Sequence, residues 1–319
     1  FGRSSFAGAI NFITRAPSNT WGGSAELTGA MWGTSEVNLS AEGPIAKDKL
    51  AVRLSGRLYH TRGQYVNIEN PTDTKLGARD TKSISASASF TPTDQITGKI
   101  FFTTWRDDDG PAANAQFNNT HYNCNAGAGV GGALNYICGQ LGAPPQETRV
   151  YNTTLSPTVY KYLNGSIGPG TTFFGPDFLT HMGLKRNALE AHASVDYRLS
   201  SDYVISLSGA YDENKWRFLT DTTLRNTLNV ANANFGRIPD VLPYFSRSAL
   251  GENWDKDYAA EARVTSPRNQ KLKWMLGGSY FSLRNTFITN AFGITGFSLA
   301  NPQGLANADT YGVFGSATY

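Results

Sequence analysis

The residues of this chain with chemistry to offer are few: two cysteines, four histidines, two acidic runs and one glycine-rich stretch. Cys124 and Cys138 are the only thiols, fourteen positions apart. With His121 they would give three zinc ligands, one short of a closed tetrahedral set, and no fourth is apparent; the remaining alternatives are a disulfide or two free thiols. Asp107-Asp108-Asp109-Gly110 offers carboxylate oxygens of the kind hard cations prefer. It lacks the spacing and terminal glutamate of an EF-hand loop, so a solvated loop base is the simpler reading, and the same holds for Asn253-Trp254-Asp255-Lys256-Asp257. Gly127-Ala128-Gly129-Val130-Gly131-Gly132 has neither a preceding strand nor a following amphipathic helix, and reads as a flexible loop rather than a phosphate cradle. His60, His121, His181 and His192 have no serine or aspartate partner in a recognisable catalytic spacing. We therefore expect no enzyme active site, no cofactor and no metal centre.

The elements that carry these residues are two-faced strands. Leu50, Val52, Leu54, Gly56 and Leu58 alternate with Ala51, Arg53, Ser55, Arg57 and Tyr59. Leu189, Ala191, Ala193, Val195 and Tyr197 alternate with Glu190, His192, Ser194, Asp196 and Arg198 in the same way. So do Tyr258, Ala260, Ala262 and Val264 against Ala259, Glu261, Arg263 and Thr265. A period of two puts successive side chains on opposite faces of a sheet. Ten strands are expected, near 21–33, 35–43, 49–63, 80–91, 96–107, 185–199, 202–215, 256–266, 271–284 and 309–319. Four junctions are tight and rich in Pro, Asp, Asn and Ser, as turns require. The others are long, about 64–79, 108–184, 216–255 and 285–308, apart from a short one near Gly33-Thr34. Short turns on one side and long loops on the other describe an antiparallel transmembrane β-barrel.

Composition agrees. The 319 residues are 40% hydrophobic and 17% charged, with a mean hydropathy of −0.34, too polar for a helical membrane protein. In a barrel wall only alternate residues meet lipid. Aromatics reach 12%, and Tyr and Trp suit membrane interfaces. The net charge of +3 is small and scattered, which gives nucleic-acid binding no support. No fixed-period repeat suggests a propeller. With the barrel reading, 108–184 becomes an outward loop in an oxidising space, so a Cys124–Cys138 disulfide is expected. On the strands, Leu54, Leu58, Ala193, Val195, Leu207 and Leu276 should face lipid, while Arg53, Arg57, Glu190 and Arg263 face a polar lumen.

Residues 1–17 break the pattern. Ala9 to Thr14 is a compact apolar run suited to burial on both faces, and the segment Gly2-Arg3-Ser4-Ser5-Phe6-Ala7-Gly8-Ala9-Ile10-Asn11-Phe12-Ile13-Thr14-Arg15-Ala16-Pro17 resembles the end of the plug domain of TonB-dependent outer-membrane receptors. In that family it is written G-R-x-x-x-x-G-A-I-N-I-x-T-[KR]-x-P, and Phe12 is a mild departure. The resemblance implies a domain division at 1–17 (plug tail) and 18–319 (N-terminal part of a twenty-two-stranded barrel, about ten strands of it). It implies plug anchoring by Gly2, Arg3, Gly8, Asn11 and Arg15. It further implies a monomer in the bacterial outer membrane that imports a scarce bulky nutrient, such as a ferric siderophore, using force from TonB. The partners would be TonB, outer-membrane lipids and the imported ligand. No signal peptide opens the chain, and we expect the natural protein to continue beyond both ends. Ligand contact is expected from outward loops, at Tyr122, Tyr136, Tyr151, Tyr160, Trp216 and Tyr244. The alternatives are a passive porin, which the plug-like segment disfavours, and an outer-membrane barrel enzyme.

Overall fold

A computed structural model describes residues 15–66, 76–113, 124–125, 135–136, 138–139, 181–221, 248–293, 296–298 and 303–319. Every element in it is a strand. Ten are long: β1 (Gly22–Ala30), β2 (Thr34–Ala46), β3 (Leu50–Thr61), β4 (Arg79–Thr93), β5 (Ile96–Asp109), β8 (Gly183–Arg198), β9 (Val204–Asp221), β10 (Ser248–Thr265), β11 (Lys273–Gly293) and β13 (Gln303–Thr318). Between them, β6 (Cys124–Asn125) pairs with β7 (Asn135–Tyr136), and the three-residue β12 (Gly296–Ser298) pairs with the end of β11. The long strands form one antiparallel meander in chain order, each hydrogen-bonded to its sequence neighbours.

The tight junctions follow from backbone chemistry. Trp32 and Gly33 both have positive φ, at 59° and 66°, and the Thr34 amide donates to the Met31 carbonyl at 3.2 Å. Two consecutive positive φ values are the signature of a turn whose twist matches its strands. Asp48 and Asp202 supply the single left-handed residue in the β2–β3 and β8–β9 turns, a conformation Asp tolerates better than most residues. Gly63 (φ 84°) marks the start of the β3–β4 connection. A β-carbon there would lie 2.4 Å from the Leu76 carbonyl oxygen, so only glycine lets Tyr65 and Leu76 pair above it.

Register fixes the faces. Leu54 lies opposite Ala41 and Ala86, Ala193 opposite Ile100 and Gly209, Leu207 opposite Ala262, and Leu276 opposite Val264. These residues therefore share one face. Arg53, Ser87, Phe101, His192, Ala210 and Ala259 form a rung on the other. Leu54, Leu58, Leu207 and Leu276 are more than half exposed, which a water-facing sheet would not tolerate in such a contiguous band. Directly opposite several glycines stands an aromatic ring: Phe90 at Gly98, Phe218 at Gly251, Phe314 at Gly277 and Phe287 at Gly304. Each ring occupies the space a β-carbon would need, covering backbone that glycine leaves bare.

The aliphatic face is banded along the strands. Tyr211 and Tyr258 sit on it with rings 5.0 Å apart, and Tyr280 and Tyr311 at 5.1 Å. All four stand seven positions from the same end of their strands, counted from Val204, Thr265, Lys273 and Thr318. Beyond them the same face turns charged, with Glu213, Lys256, Arg284 and Asp309. Aliphatic wall, tyrosine belt, then charge is the order in which a strand leaves lipid for an interface and then water.

Strands extend beyond their sequence-predicted ends at this charged side. β9 runs to Asp221 and β10 begins at Ser248, so Trp216 and residues 253–255, expected in a loop, are in strands. The ladder hydrogen bonds continue where the alternation of polarity stops.

Candidate functional site: the polar face of the wall

On β1 to β4 the polar face is built from small hydroxyls between arginines. Ser24, Asn38, Ser40, Arg53, Ser55, Arg57, Ser83 and Ser85 surround a concavity of about 230 Å³. Serines on alternate positions leave the room that the two long guanidinium side chains need. At the turn end of β2, Glu42 is buried to 7% exposure and holds two arginines. The Arg15 Nη2 donates to its Oε1 at 2.6 Å, and the Arg53 Nη1 donates to its Oε2 at 3.1 Å. Arg15 lies just before β1, so this carboxylate ties the N-terminal segment to the polar face.

Nearer the charged rim, the Arg57 Nε donates to Glu36 at 2.6 Å, and Asn38 donates to the same oxygen. Asp107, at 3% exposure, accepts from Thr81 at 2.7 Å and from the Arg186 Nε at 2.6 Å. Its neighbour Asp108 turns to the other face, where His181 and Lys185 meet it at 3.0 and 3.8 Å. Asp109 turns back and is pushed above the usual aspartate range, by burial first and then by the Asp107 charge. The acidic run thus splits between two faces.

On β8 to β10 the pattern changes. Glu190 lies opposite Asp212, and Asp212 opposite Asp257, giving three carboxylates in one rung. Asp255, two positions along, accepts from Asn253 and Asn285. The Asp257 Oδ1 and the neighbouring Asn214 Oδ1 are buried without a hydrogen-bond partner among the described residues. Trp216 stacks on Phe218 with centroids 5.8 Å apart, and Phe101 on His192 at 4.9 Å.

Of the residues singled out from sequence, Arg15 and Arg53 meet at one carboxylate, Arg57 stands next to them, and Trp216 lies on the polar face of β9. Cys124 and Cys138 are joined, with Cα atoms 5.8 Å apart. Gly2, Arg3, Gly8, Asn11, Tyr122, Tyr151, Tyr160 and Tyr244 lie outside the described residues, as does the Tyr136 side chain. Sequence reasoning missed Glu42 and Glu36. Both occupy polar-face positions of β2: Glu42 lies directly opposite Arg53, so a register drawn from the tight turn at Asp48 would have paired them, whereas Glu36 lies opposite Tyr59 and is reached diagonally by Arg57.

No protein-family model and no curated protein sequence matches this chain. Solved structures do. The chain is similar to the ferric-catecholate import receptor Fiu from E. coli K12, closed form (TM-score 0.57, 14% identity, 99% of this chain and 41% of that one). It is similar to the ferric citrate transporter FecA in its unliganded form (TM-score 0.53, 10% identity, 100% and 38%). It is also similar to the ferripyoverdine receptor of the outer membrane of Pseudomonas aeruginosa bound to ferripyoverdine (TM-score 0.53, 10% identity, 96% and 36%). The chain thus spans well under half the length of each. The ten-stranded meander with its two unlike faces has the fold of a part of the β-barrel of the TonB-dependent outer-membrane receptors.

Proposed function

We propose that this chain forms part of the wall of an outer-membrane importer of a scarce, bulky nutrient, a ferric siderophore or a ligand of similar size, driven by TonB. The aliphatic face meets lipid and the polar face lines a lumen. Three structural relatives are, by their descriptions, a ferric-catecholate import receptor, a ferric citrate transporter and a ferripyoverdine receptor. They support import and a chelate as cargo.

The observation that carries the reading is the Arg15–Glu42–Arg53 clamp. It fastens a segment outside the sheet to the lumen side of the wall, and Arg15 belongs in sequence to the plug-like motif that includes Gly2, Arg3, Gly8 and Asn11. An arginine suits this task because its planar fork serves one carboxylate while the rest of the lining stays hydrated. A passive porin has no need of such a tether. Residues 1–17 are accordingly the tail of a plug and 18–319 the wall. Recognition falls to outward loops, with Tyr122, Tyr136, Tyr151, Tyr160 and Tyr244 as aromatic contacts and Trp216 at the rim of the lumen. The partners are the ligand, TonB and outer-membrane lipids, and the receptor works as a monomer.

Uptake of a ferric siderophore by cells expressing the full-length protein tests this. Uptake should vanish in a TonB-deleted strain and fall when loop 108–184 is shortened. Undiminished uptake without TonB would replace this reading with the porin.

A further inference from the structure

On the aliphatic face above the tyrosine belt, cations and carboxylates are matched almost throughout. Lys256 meets Glu213 at 3.6 Å, Lys215 meets Glu252 at 3.6 Å and Arg284 meets Asp309 at 2.9 Å. Lys82 and Arg106 break the rule. They stand directly opposite each other on β4 and β5, both exposed, and neither has a carboxylate partner among the described residues. Arg106 spends its Nε on the Asn187 side-chain oxygen at 2.8 Å, which leaves its other donors facing outward. Two like charges directly opposite in a sheet repel, and an anion between them would turn that repulsion into attraction.

The surroundings say what kind of anion. Lys82, Arg106 and Asn187 border a shallow hollow of about 370 Å³ whose floor includes Ile84 and Thr104. Ile84 is 54% exposed, and from it the face continues down the strands as Ala86, Ala88, Phe102 and Ile100. Cations at the top and an apolar slope beneath fit an amphiphile standing upright along the wall. Arg106 is ten positions from Ile96 and Lys82 eleven from Thr93, a few residues beyond the seven-position level of the tyrosines. That is the depth of headgroups. A guanidinium fork beside an ammonium point charge is the donor set that phosphate oxygens favour.

We propose that Lys82 and Arg106, with Asn187, form a binding site for the phosphate-bearing headgroup of a membrane lipid on the outer surface of the wall. The proposal rests on the lipid-facing reading of the aliphatic face. Arg106 grips two phosphate oxygens, Lys82 neutralises the remaining charge, Asn187 holds the guanidinium in place, and the acyl chains lie along Ile84, Ala86 and Phe102.

The test uses the full-length protein reconstituted into phosphatidylcholine vesicles doped with phosphatidic acid, whose headgroup is a phosphomonoester. Native mass spectrometry of the extracted protein reads retained lipid. Wild type should retain phosphatidic acid in preference to phosphatidylcholine. Affinity should fall about tenfold for each of K82Q and R106Q, while the charge-retaining double variant K82R/R106K recovers most of it. K256Q, which removes a cation already paired with Glu213, should change retention less than twofold. Heat-modifiable migration verifies that each variant is folded. Equal retention by wild type and a folded K82Q/R106Q protein would overturn the proposal, as would displacement of the lipid by millimolar inorganic phosphate. Insertion of wild type without preference for phosphatidic acid would sink this site alone; failure of wild type to insert even in neutral vesicles would sink the lipid-facing reading with it.

Discussion

The two faces of β3 share one backbone and present opposite chemistry. Val52, Leu54, Gly56 and Leu58 form one side, and Arg53, Ser55 and Arg57 the other. On the aliphatic side nothing among the described residues covers Leu54 and Leu58, which stay 56% and 54% exposed. On the polar side both arginines are tied to carboxylates of the next strand, Glu42 and Glu36. The contrast teaches where stability resides in such a wall. The aliphatic face is stabilised by its solvent, and the polar face must satisfy itself. It does so unevenly, since β2 and β3 pair every acid facing the lumen with an arginine, whereas β8 to β10 set Glu190, Asp212 and Asp257 side by side.

The largest effect should come from moving a charge across the sheet. Leu54→Arg in vesicles should destabilise the full-length protein by about 2–4 kcal/mol, the midplane cost of arginine in lipid. Ser208→Arg, on the exposed polar face of β9 between Ser194 and Glu261, should change stability by no more than roughly 0.5 kcal/mol, as an ordinary surface substitution does. Reversible urea unfolding measures both, and similar costs for the two would break the comparison.

Within the polar face, Asp107→Asn should cost about 2 kcal/mol. It removes the charge that Arg186 and Thr81 are oriented toward, in a site at 3% exposure, and half-open arginine keeps the loss below that of a fully buried pair. Asp212→Asn should do the reverse and stabilise by about 0.5 kcal/mol, because it relieves two like-charge neighbours at once. Both are read from urea midpoints. A loss at Asp212 as large as at Asp107 would mean that the acidic rung is held by a cation.

The smallest effect is a pH dependence at the rim. Asp109 is pushed high by burial and by Asp107, so its charge opposes folding at neutral pH and that cost is relieved as pH falls through the raised value. Asp109→Asn should therefore raise stability slightly at neutral pH and have no effect in acid. A stability titration of both proteins gives the difference curve, and a difference that grows toward acid would contradict the assignment.

Much of this wall is legible in sequence. Alternation alone located β3, expected at 49–63 and found at Leu50–Thr61, and β4, expected at 80–91 and found at Arg79–Thr93. It failed above the tyrosine belt. Glu213, Asn214 and Lys215 are polar on both faces because water lies on both sides there, so the period vanishes while the backbone ladder of β9 and β10 continues. The polar site was half legible. Arg53 and Arg57 announce themselves as charges on an otherwise small lining, but their partners Glu42 and Glu36 depend on cross-strand register, which no single strand contains. Lys82 and Arg106 stayed hidden for the same reason, being neighbours only once β4 and β5 are paired.

The central claim is that alternate residues of this sheet meet lipid and lumen water. Single nitroxide labels at positions 53 to 58 of the full-length protein, in vesicles, test it most directly, through collision with oxygen dissolved in lipid and with a water-soluble nickel chelate. The account predicts a period of two, with labels at 54, 56 and 58 favouring oxygen and those at 53, 55 and 57 favouring the chelate. Accessibility without alternation, or alternation of the opposite phase, would contradict it.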